Sequence, residues 1–363
     1  MTRAERPVRA RLTVAEPSEP PSRWSSVVAA VTDGTTQIGV GSALTATFGG
    51  EATKCFVTGE AGGRWWFLAL AITGLAILLL GVWQRVTAGS RMRVAIVPTA
   101  TGPRGGHARI RQLEQRADKF SKSLCDYTLK VNVDLDADGA GDRGSLDDFA
   151  DKTAEGSAWA EWAAPDATAI NLVPAMAENV CFLFGAKIAD YPFARDVLVH
   201  EVGQGGTSTS VPLLSPRAVD GQETSYYGRL RPIERGDLTR VAIALDLQSA
   251  GDQYFDQVKA TCRRDGIGLL LMITPPPALR NGSTSALARV VDLVCREWQG
   301  ASLHESARTG QHAIFLGGSL AMAVALGARL AARDHGRWTA YAQDPASNTY
   351  EAFPSPCDSP PSS

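Results

Sequence analysis

The feature that most constrains the fold is an internal repeat in the C-terminal three quarters of the chain. The pentapeptide Arg93–Val97 (RVAIV) recurs as Arg240–Ala244 (RVAIA). A longer segment, Ile170–Val202, is paralleled by Ala313–Gln343, in the same order and at nearly the same separation along the chain. The sequence therefore predicts two copies of one structural unit.

Each copy alternates short apolar runs of strand length with segments of helical character. The predicted strands are Val94–Val97, Thr128–Val133, Ala169–Val173 and Val197–Val202 in the first copy, and Val241–Leu245, Ile267–Ile273, Ala313–Leu316 and Trp338–Ala342 in the second. Strands that alternate with helices indicate parallel sheets covered on both faces. The predicted fold class is therefore α/β, with two tandem Rossmann-like halves at residues 91–206 and 239–353, a connector at 207–238 and a disordered tail at 354–363.

Glycine occurs inside a predicted helix at the same place in both copies, as Gly185 and Gly327. Glycine within a helix costs about 1 kcal/mol relative to alanine. Its repetition at equivalent positions predicts close packing of each helix against its sheet.

A second constraint lies before the repeat, where Trp65–Trp83 (WWFLALAITGLAILLLGVW) contains no charge and no proline. As a helix this run measures about 28 Å, close to the thickness of the hydrocarbon layer of a membrane. Tryptophan at both ends and the flanking residues Arg64 and Arg85 are typical of membrane boundaries. A single transmembrane helix is therefore predicted at residues 64–86, and a buried helix of a soluble domain is the alternative.

The charges around this run predict its orientation. Basic residues are slightly more numerous after it (Arg85, Arg91, Arg93, Arg104) than close before it (Lys54, Arg64), which favours a cytoplasmic C-terminal side. Residues 1–63 are expected to be largely disordered or interfacial. For Ser25–Phe48, contact with the membrane stays open, either as an interfacial segment or as the first arm of a hairpin.

Composition excludes some classes of protein. A formal net charge of −2 and a pI near 6.2 argue against a protein that coats nucleic acid. The six cysteines are scattered without a CxxC pair, which is typical of a reducing compartment and predicts no disulfide or metal site.

In sheets of this kind ligands bind beyond the carboxyl ends of the strands, where helix N-termini favour anions. The loops at these positions predict the ligand-binding residues, although the same residue types also serve as ordinary turns. The predicted residues are Thr99, Thr101, Gly102, Arg104, Pro174 and Met176 in the first copy, and Asp246, Gln248, Ser249, Gly317, Gly318 and Ser319 in the second. Arg104 is the expected phosphate partner.

Catalytic and metal motifs are incomplete. The glycine-rich run at Thr101–Gly106 lacks the Lys-Ser/Thr ending of a phosphate-binding loop. The acidic run starting at Asp134 resembles a calcium loop but has Ser145 where the bidentate glutamate belongs. No catalytic residue, metal or cofactor is predicted. The candidate residues for an alternative enzyme are Asp246, His200 and Glu201.

The second copy resembles the SAVED domain, a cyclic-oligonucleotide sensor of bacterial anti-phage (CBASS) defence that is built from two CARF-like Rossmann-like halves. The resemblance lies in Arg240–Leu247 (RVAIALDL) and in the segment 313–353, with AIFLGGSLA, LGARL, WTAY and YEAF. It covers roughly residues 91–353, and Gly317-Gly318 departs from it, because a proline is more usual there. The combination with an apolar helix is similar to the membrane-fused members of the family.

The resemblance implies a function. A cyclic di-, tri- or tetranucleotide made by a functionally linked nucleotide cyclase would bind between the halves and drive self-association. Clustered helices would then disrupt the bacterial inner membrane, with the sensor in the cytoplasm. The alternatives are a membrane-anchored transferase or hydrolase acting on nucleotide or lipid-linked substrates, and an inert membrane-tethered scaffold.

Overall fold

A computed structural model describes residues 11–14, 42–50, 53–54, 64–89, 92–101, 107–135, 143–165, 167–203, 208–214, 228–247, 251–279, 284–344 and 349–354. The chain forms two compact units. One comprises residues 1–15 and 92–363, and the other comprises residues 16–91.

The larger unit contains twelve described strands and seven described α-helices. The strands are β1 (Arg11–Val14), β2 (Met92–Thr101), β3 (Cys125–Asp134), β4 (Ala169–Leu172), β5 (Asp196–Val202), β6 (Ser208–Pro212), β7 (Gly228–Pro232), β8 (Asp237–Leu245), β9 (Ile267–Ile273), β10 (His312–Leu316), β11 (Trp338–Asp344) and β12 (Thr349–Phe353). In chain order after α1 (Arg64–Gly89) of the smaller unit, the helices are α2 (His107–Leu124), α3 (Arg143–Ala163), α4 (Glu178–Ile188), α5 (Asp252–Arg264), α6 (Thr284–Gly300), α7 (Glu305–Arg308) and α8 (Leu320–Leu330).

The strands form two six-stranded sheets of the same topology. The first has the order β1-β3-β2-β4-β5-β6, and the second, read from its β7 edge, has the order β7-β9-β8-β10-β11-β12. In each sheet the four central strands are parallel and both edge strands are antiparallel. The sequence predicted parallel sheets, but both sheets are mixed. The antiparallel edge strands come from segments outside the recognised repeats.

Three of the four edge strands come from two segments with weak sequence signals, and the fourth, β12, lies at the end of the second half. The expected connector at 207–238 supplies β6 and β7, one to each sheet. The N-terminal segment supplies β1, whose residues Arg11–Val14 pair with Asn132–Leu129 of β3.

The main hydrophobic core lies between the two sheets. It contains the inner faces of both sheets together with apolar residues of α3, α4, α6 and α8. A smaller cluster lies between the first sheet and α2, and another between the second sheet and α5. Both sheets are therefore covered on two sides, and the halves share one interior.

Helices α4 and α8 cross in the centre of this interior at Gly185 and Gly327. A methyl group on Gly185 would overlap the carbonyl oxygen of Val324, and one on Gly327 would overlap that of Phe182. The contact is reciprocal, as a pseudo-twofold relation between the halves requires. The prediction that these glycines pack their helices against the sheets was wrong, because each glycine lies against the backbone of the equivalent helix in the other half.

Matching ion pairs support the same symmetry. Lys187 Nζ of α4 lies 2.6 Å from Asp147 Oδ1 of α3. Arg329 Nη2 of α8 lies 2.5 Å from Asp292 Oδ1 of α6. Each pair holds a central helix against the outer helix of its own half.

In the smaller unit, α1 packs against a helix at residues 42–50. The Cβ position at Gly74 lies 2.8 Å from Leu44 Cβ, and the rings of Phe48 and Phe67 stack with centroids 6.4 Å apart. The two helices run antiparallel, because the earlier residue Phe67 of α1 contacts the later residue Phe48 of the other helix, and the later residue Gly74 contacts the earlier residue Leu44. The predicted transmembrane segment 64–86 lies within α1. Within the residues that the structure describes, no helix has both the length and the apolar character that a membrane span requires.

Candidate functional site

The carboxyl ends of the strands of both halves meet around the N-terminus of α8. We call this place the junction site and define it by Arg109, Glu178, Glu201, Gly318 and Ser319. Glu178 begins α4 and Glu201 lies near the end of β5, both in the first half. Gly318 and Ser319 come between β10 and α8 in the second half. The junction site therefore exists only where the two halves are packed together.

The N-terminus of α8 already binds one anionic group. The Glu201 carboxylate accepts hydrogen bonds from the Ser319 hydroxyl and from the backbone N–H groups of Leu320 and Ala321. The Ser319 hydroxyl also accepts a bond of 3.3 Å from the N–H of Met322, as an N-cap residue does. Unpaired N–H groups and the helix dipole favour negative charge at such an end, and here a carboxylate from the other half supplies it.

Glu178 is a second buried carboxyl group beside the first. Its side chain is 14% exposed and accepts a backbone hydrogen bond from Gly318. Burial raises the pKa of Glu178 to about 7, although Arg109 and the Gly318 N–H act in the opposite direction. Burial also raises the pKa of Glu201, against the hydrogen bonds from Ser319, Leu320 and Ala321.

Arg109 supplies the cation of the junction site, and sequence reasoning missed it. Its Nη2 lies 3.7 Å from Glu178 Oε1, and its side chain is 58% exposed. The residue lies in the first turn of α2, directly after the loop in which Arg104 was predicted to bind phosphate. Its place at the start of the helix that follows the first strand was the available signal.

Two tyrosines of the second half, Tyr254 and Tyr350, lie near enough to both Glu178 and Asp246 for the charges of these carboxylates to raise their pKa. Asp246 is 2% exposed and accepts a 2.9 Å bond from the N–H of Gly251. The Tyr254 hydroxyl donates to the carbonyl oxygen of Phe315 at 3.2 Å. Burial raises the pKa of Tyr350 to about 12, with smaller contributions from the charges of Glu178 and Asp246.

The structure brings some of the predicted ligand-binding residues together. Gly318 has a positive φ of 131°, and its Cβ position lies 3.3 Å from Leu247, so the loops after β8 and β10 touch. In the first half, residue 99 pairs with Ala175, which joins the end of β2 to the loop after β4. Among the described residues, nothing lies within 4 Å of the Cβ position of Gly317.

Other predicted ligand-binding residues are buried or already hydrogen-bonded within the protein. Met176 is fully buried in the central core, Pro174 and Thr99 are also buried, and the Thr101 hydroxyl donates to Asp134 Oδ1 at 3.0 Å. Gly102, Arg104, Gln248 and Ser249 lie outside the described residues. The ligand-binding assignment therefore stays a prediction, with Gly317, Gly318 and Ser319 the best placed to reach a ligand.

The candidate catalytic residues do not form one constellation. The His200 Nε2 lies 2.9 Å from Asn171 Oδ1, the imidazole packs against Phe120, and burial lowers its pKa to about 4. Its neighbour Glu201 binds α8 instead. Across the described ranges, no group of three His, Cys, Asp or Glu side chains is arranged to hold a metal ion. In the run that resembles a calcium loop, Asp134 accepts a hydrogen bond from the Thr101 hydroxyl. Asp136 and Asp138 lie outside the described residues.

The solved structures that are similar in fold include three forms of one receptor. These are the Acinetobacter baumannii Cap4 SAVED/CARF-domain containing receptor with the cyclic trinucleotide 2'3'3'-cAAA (TM-score 0.41, 9% identity), the same receptor with 3'3'3'-cAAA (0.39, 10%) and the receptor alone (0.39, 8%). Each match covers 80% of this chain and 58%, 58% and 57% of the respective receptor chain, which is less than two thirds of its length.

Two further comparisons were negative. No protein-family model matches the sequence, and no curated protein matches it.

Proposed function

We propose that the larger unit is a receptor for a cyclic oligonucleotide and that the junction site is where it binds. The observation that carries the proposal is the bond between Glu201 and the N-terminus of α8. It identifies a helix end that takes an oxyanion, at the seam between two halves of equal topology. Duplicated halves that share one site suit a ligand with repeated phosphates and bases.

Ligand binding would exchange one anion for another. A phosphate of the ligand would accept the hydrogen bonds that Leu320 N–H, Ala321 N–H and the Ser319 hydroxyl now donate to Glu201. The displaced Glu201 carboxylate would move into solvent. Arg109 is exposed enough to meet a second phosphate. Charge at the site then stays balanced, because the incoming phosphate replaces a carboxylate.

The rest of the proposal concerns the smaller unit. We propose that α1 attaches the chain to the bacterial inner membrane, with the receptor in the cytoplasm, and that ligand-driven self-association clusters the helices and disrupts the bilayer in anti-phage defence. A nucleotide cyclase would supply the ligand. The uncharged run Trp65–Trp83 and the resemblance to membrane-fused SAVED proteins support this part.

The test of the site compares two arginine variants of the full chain in detergent. Arg109→Ala is expected to weaken binding of a labelled cyclic trinucleotide at least about tenfold, because one charged hydrogen bond contributes about 1.5–3 kcal/mol. Arg289→Ala, which removes an exposed arginine of α6, a helix that contributes no residue to the junction site, should bind normally. Equal affinity of both variants and the wild type would place the ligand elsewhere.

The proposed receptor carries out no reaction of its own. The enzyme alternative predicts turnover of nucleotide or lipid-linked substrates that Asp246→Asn abolishes. Turnover by the wild type together with its loss in that variant would favour the enzyme over the receptor.

A further inference from the structure

Two carboxyl groups of the first half converge on four consecutive residues of the second half. Gly318 donates its N–H to Glu178, and the next three residues, 319–321, donate to Glu201. Because neighbouring residues of one turn hold both carboxyl groups, these groups lie close together, and the charge of Glu201 opposes ionisation of Glu178. A phosphate that takes the place of Glu201 would therefore lie beside Glu178.

The surroundings of Glu178 offer little positive charge. Its side chain is 14% exposed, whereas the side chain of Arg109, whose Nη2 lies 3.7 Å away, is 58% exposed and attracts a carboxylate only weakly. The titratable groups of the described residues that face Glu178 are Arg109 of α2, Cys181 of α4, Glu201 of β5, Asp246 after β8, Tyr254 of α5 and Tyr350 of β12. Among these described groups two are carboxyl groups and one is a base, so negative charge outweighs positive charge around Glu178.

Binding of a ligand as proposed above would not relieve this excess. The phosphate that replaces Glu201 carries a negative charge of its own, and Arg109 would turn toward a second phosphate. An ionised Glu178 would then repel the first phosphate at short range in a partly buried site, where charges interact strongly. A protonated Glu178 removes this repulsion, and its O–H group can donate a hydrogen bond to a phosphate oxygen.

We propose that Glu178 binds the ligand as a neutral carboxylic acid, so that the junction site takes up a proton together with the phosphate. This inference rests on the proposed function and adds a ligand-binding residue to it. The proton comes from solvent and is held on the Glu178 carboxyl group. In the free protein burial raises the pKa of Glu178 to about 7, so the group is about three-quarters ionised at pH 7.5 and mostly protonated at pH 6.

Calorimetric titration of the full chain in detergent, in buffers that differ in ionisation enthalpy, measures the proton directly. The probes are cyclic di-, tri- and tetranucleotides. For a probe that binds, the dependence of the observed enthalpy on the buffer is expected to give an uptake of about half to three-quarters of a proton at pH 7.5 and about a tenth at pH 6. The affinity should rise by up to about tenfold from pH 8 to pH 6, because the proton is already in place at the lower pH.

Two glutamine variants locate the proton. Glu178→Gln has a neutral side chain that can donate a hydrogen bond to phosphate, and it is expected to bind without proton uptake at pH 7.5. Glu234→Gln, which changes an exposed carboxyl group in the turn between β7 and β8, should take up as much as the wild type. Displacement of Glu201 cannot mimic the result, because burial raises its pKa in the free protein and transfer to solvent would release a proton.

The outcomes separate this inference from the proposed function. Loss of proton uptake in Glu178→Gln but not in Glu234→Gln supports the inference. Binding by the wild type without uptake, uptake that persists in Glu178→Gln, or loss of binding in a Glu178→Gln protein that unfolds as cooperatively as the wild type would each overturn it and leave the receptor in place. Failure of the wild type to bind any of the cyclic probes would overturn the proposed function itself.

Discussion

At the scale of single residues, the chemistry of the junction site depends on two carboxyl groups that one half lends to the other. Glu201 satisfies N–H groups that otherwise have no partner within α8. Glu178 is held beside it in a buried position where ionisation is unfavourable, even with Arg109 at 3.7 Å. Burial outweighs this attraction because the guanidinium is largely in water, where a charge pair is weak.

The raised pKa of Glu178 predicts a specific dependence of stability on pH. The folded state holds a proton that the unfolded state releases between the usual value of 4.5 and the folded value of about 7. The free energy of unfolding therefore falls as the pH rises through this window, by up to about 1.4 kcal/mol per pH unit from this group. Glu178→Gln should remove this contribution and stabilise the protein at pH 8 relative to pH 5.

Chemical denaturation of both proteins at several pH values measures this difference. Comparison with the wild type is necessary because buried His200, with its pKa lowered to about 4, changes stability in the opposite direction over much of the same window. Parallel curves for the wild type and Glu178→Gln would contradict the assignment.

At the scale of elements, the crossing of α4 and α8 joins the two halves. Close approach of the two backbones requires residues without a side chain at the crossing point. The sequence provides them at Gly185 and Gly327, and apolar residues surround both positions. The crossing therefore also determines where the N-termini of both helices lie, and with them the junction site.

Gly185→Ala is expected to destabilise the protein by about 1–3 kcal/mol, because the added methyl group overlaps the Val324 carbonyl oxygen. Helix propensity alone predicts the opposite sign, since alanine is about 1 kcal/mol better than glycine in a helix. Thermal unfolding distinguishes the two, with Gly317→Ala as the control because no described atom lies within 4 Å of its Cβ position. A higher melting temperature for Gly185→Ala would show that the helices do not touch there.

The sequence predicted the elements better than their contacts. Buried strands such as Val241–Leu245 carry a strong local signal and occur in the structure within β8. The strand Arg11–Val14 was missed because four residues of ordinary composition reveal nothing without their partner. The contact between Arg109 and Glu178 was missed for a related reason: it joins segments far apart in the chain, and the position of Arg109 at the start of α2 does not reveal its partner.

At the scale of the whole molecule, the larger unit consists of two copies of one structural unit, and the connections between equivalent strands differ between the copies. The sheets have equal strand order, the central helices cross reciprocally, and the ion pairs of α4 and α8 match. One copy retains a turn where the other carries residues 15–91. A symmetric pair of halves presents one seam, so the molecule is expected to bind one ligand along it rather than one in each half.

Calorimetric titration of the full chain with cyclic di-, tri- and tetranucleotides, and with linear oligonucleotides as controls, tests whether the seam between the halves binds one cyclic oligonucleotide. The account predicts that at least one cyclic compound binds with a stoichiometry of one per chain and that its linear counterpart binds more weakly. Two equal sites per chain, or no binding of any cyclic compound, would contradict it.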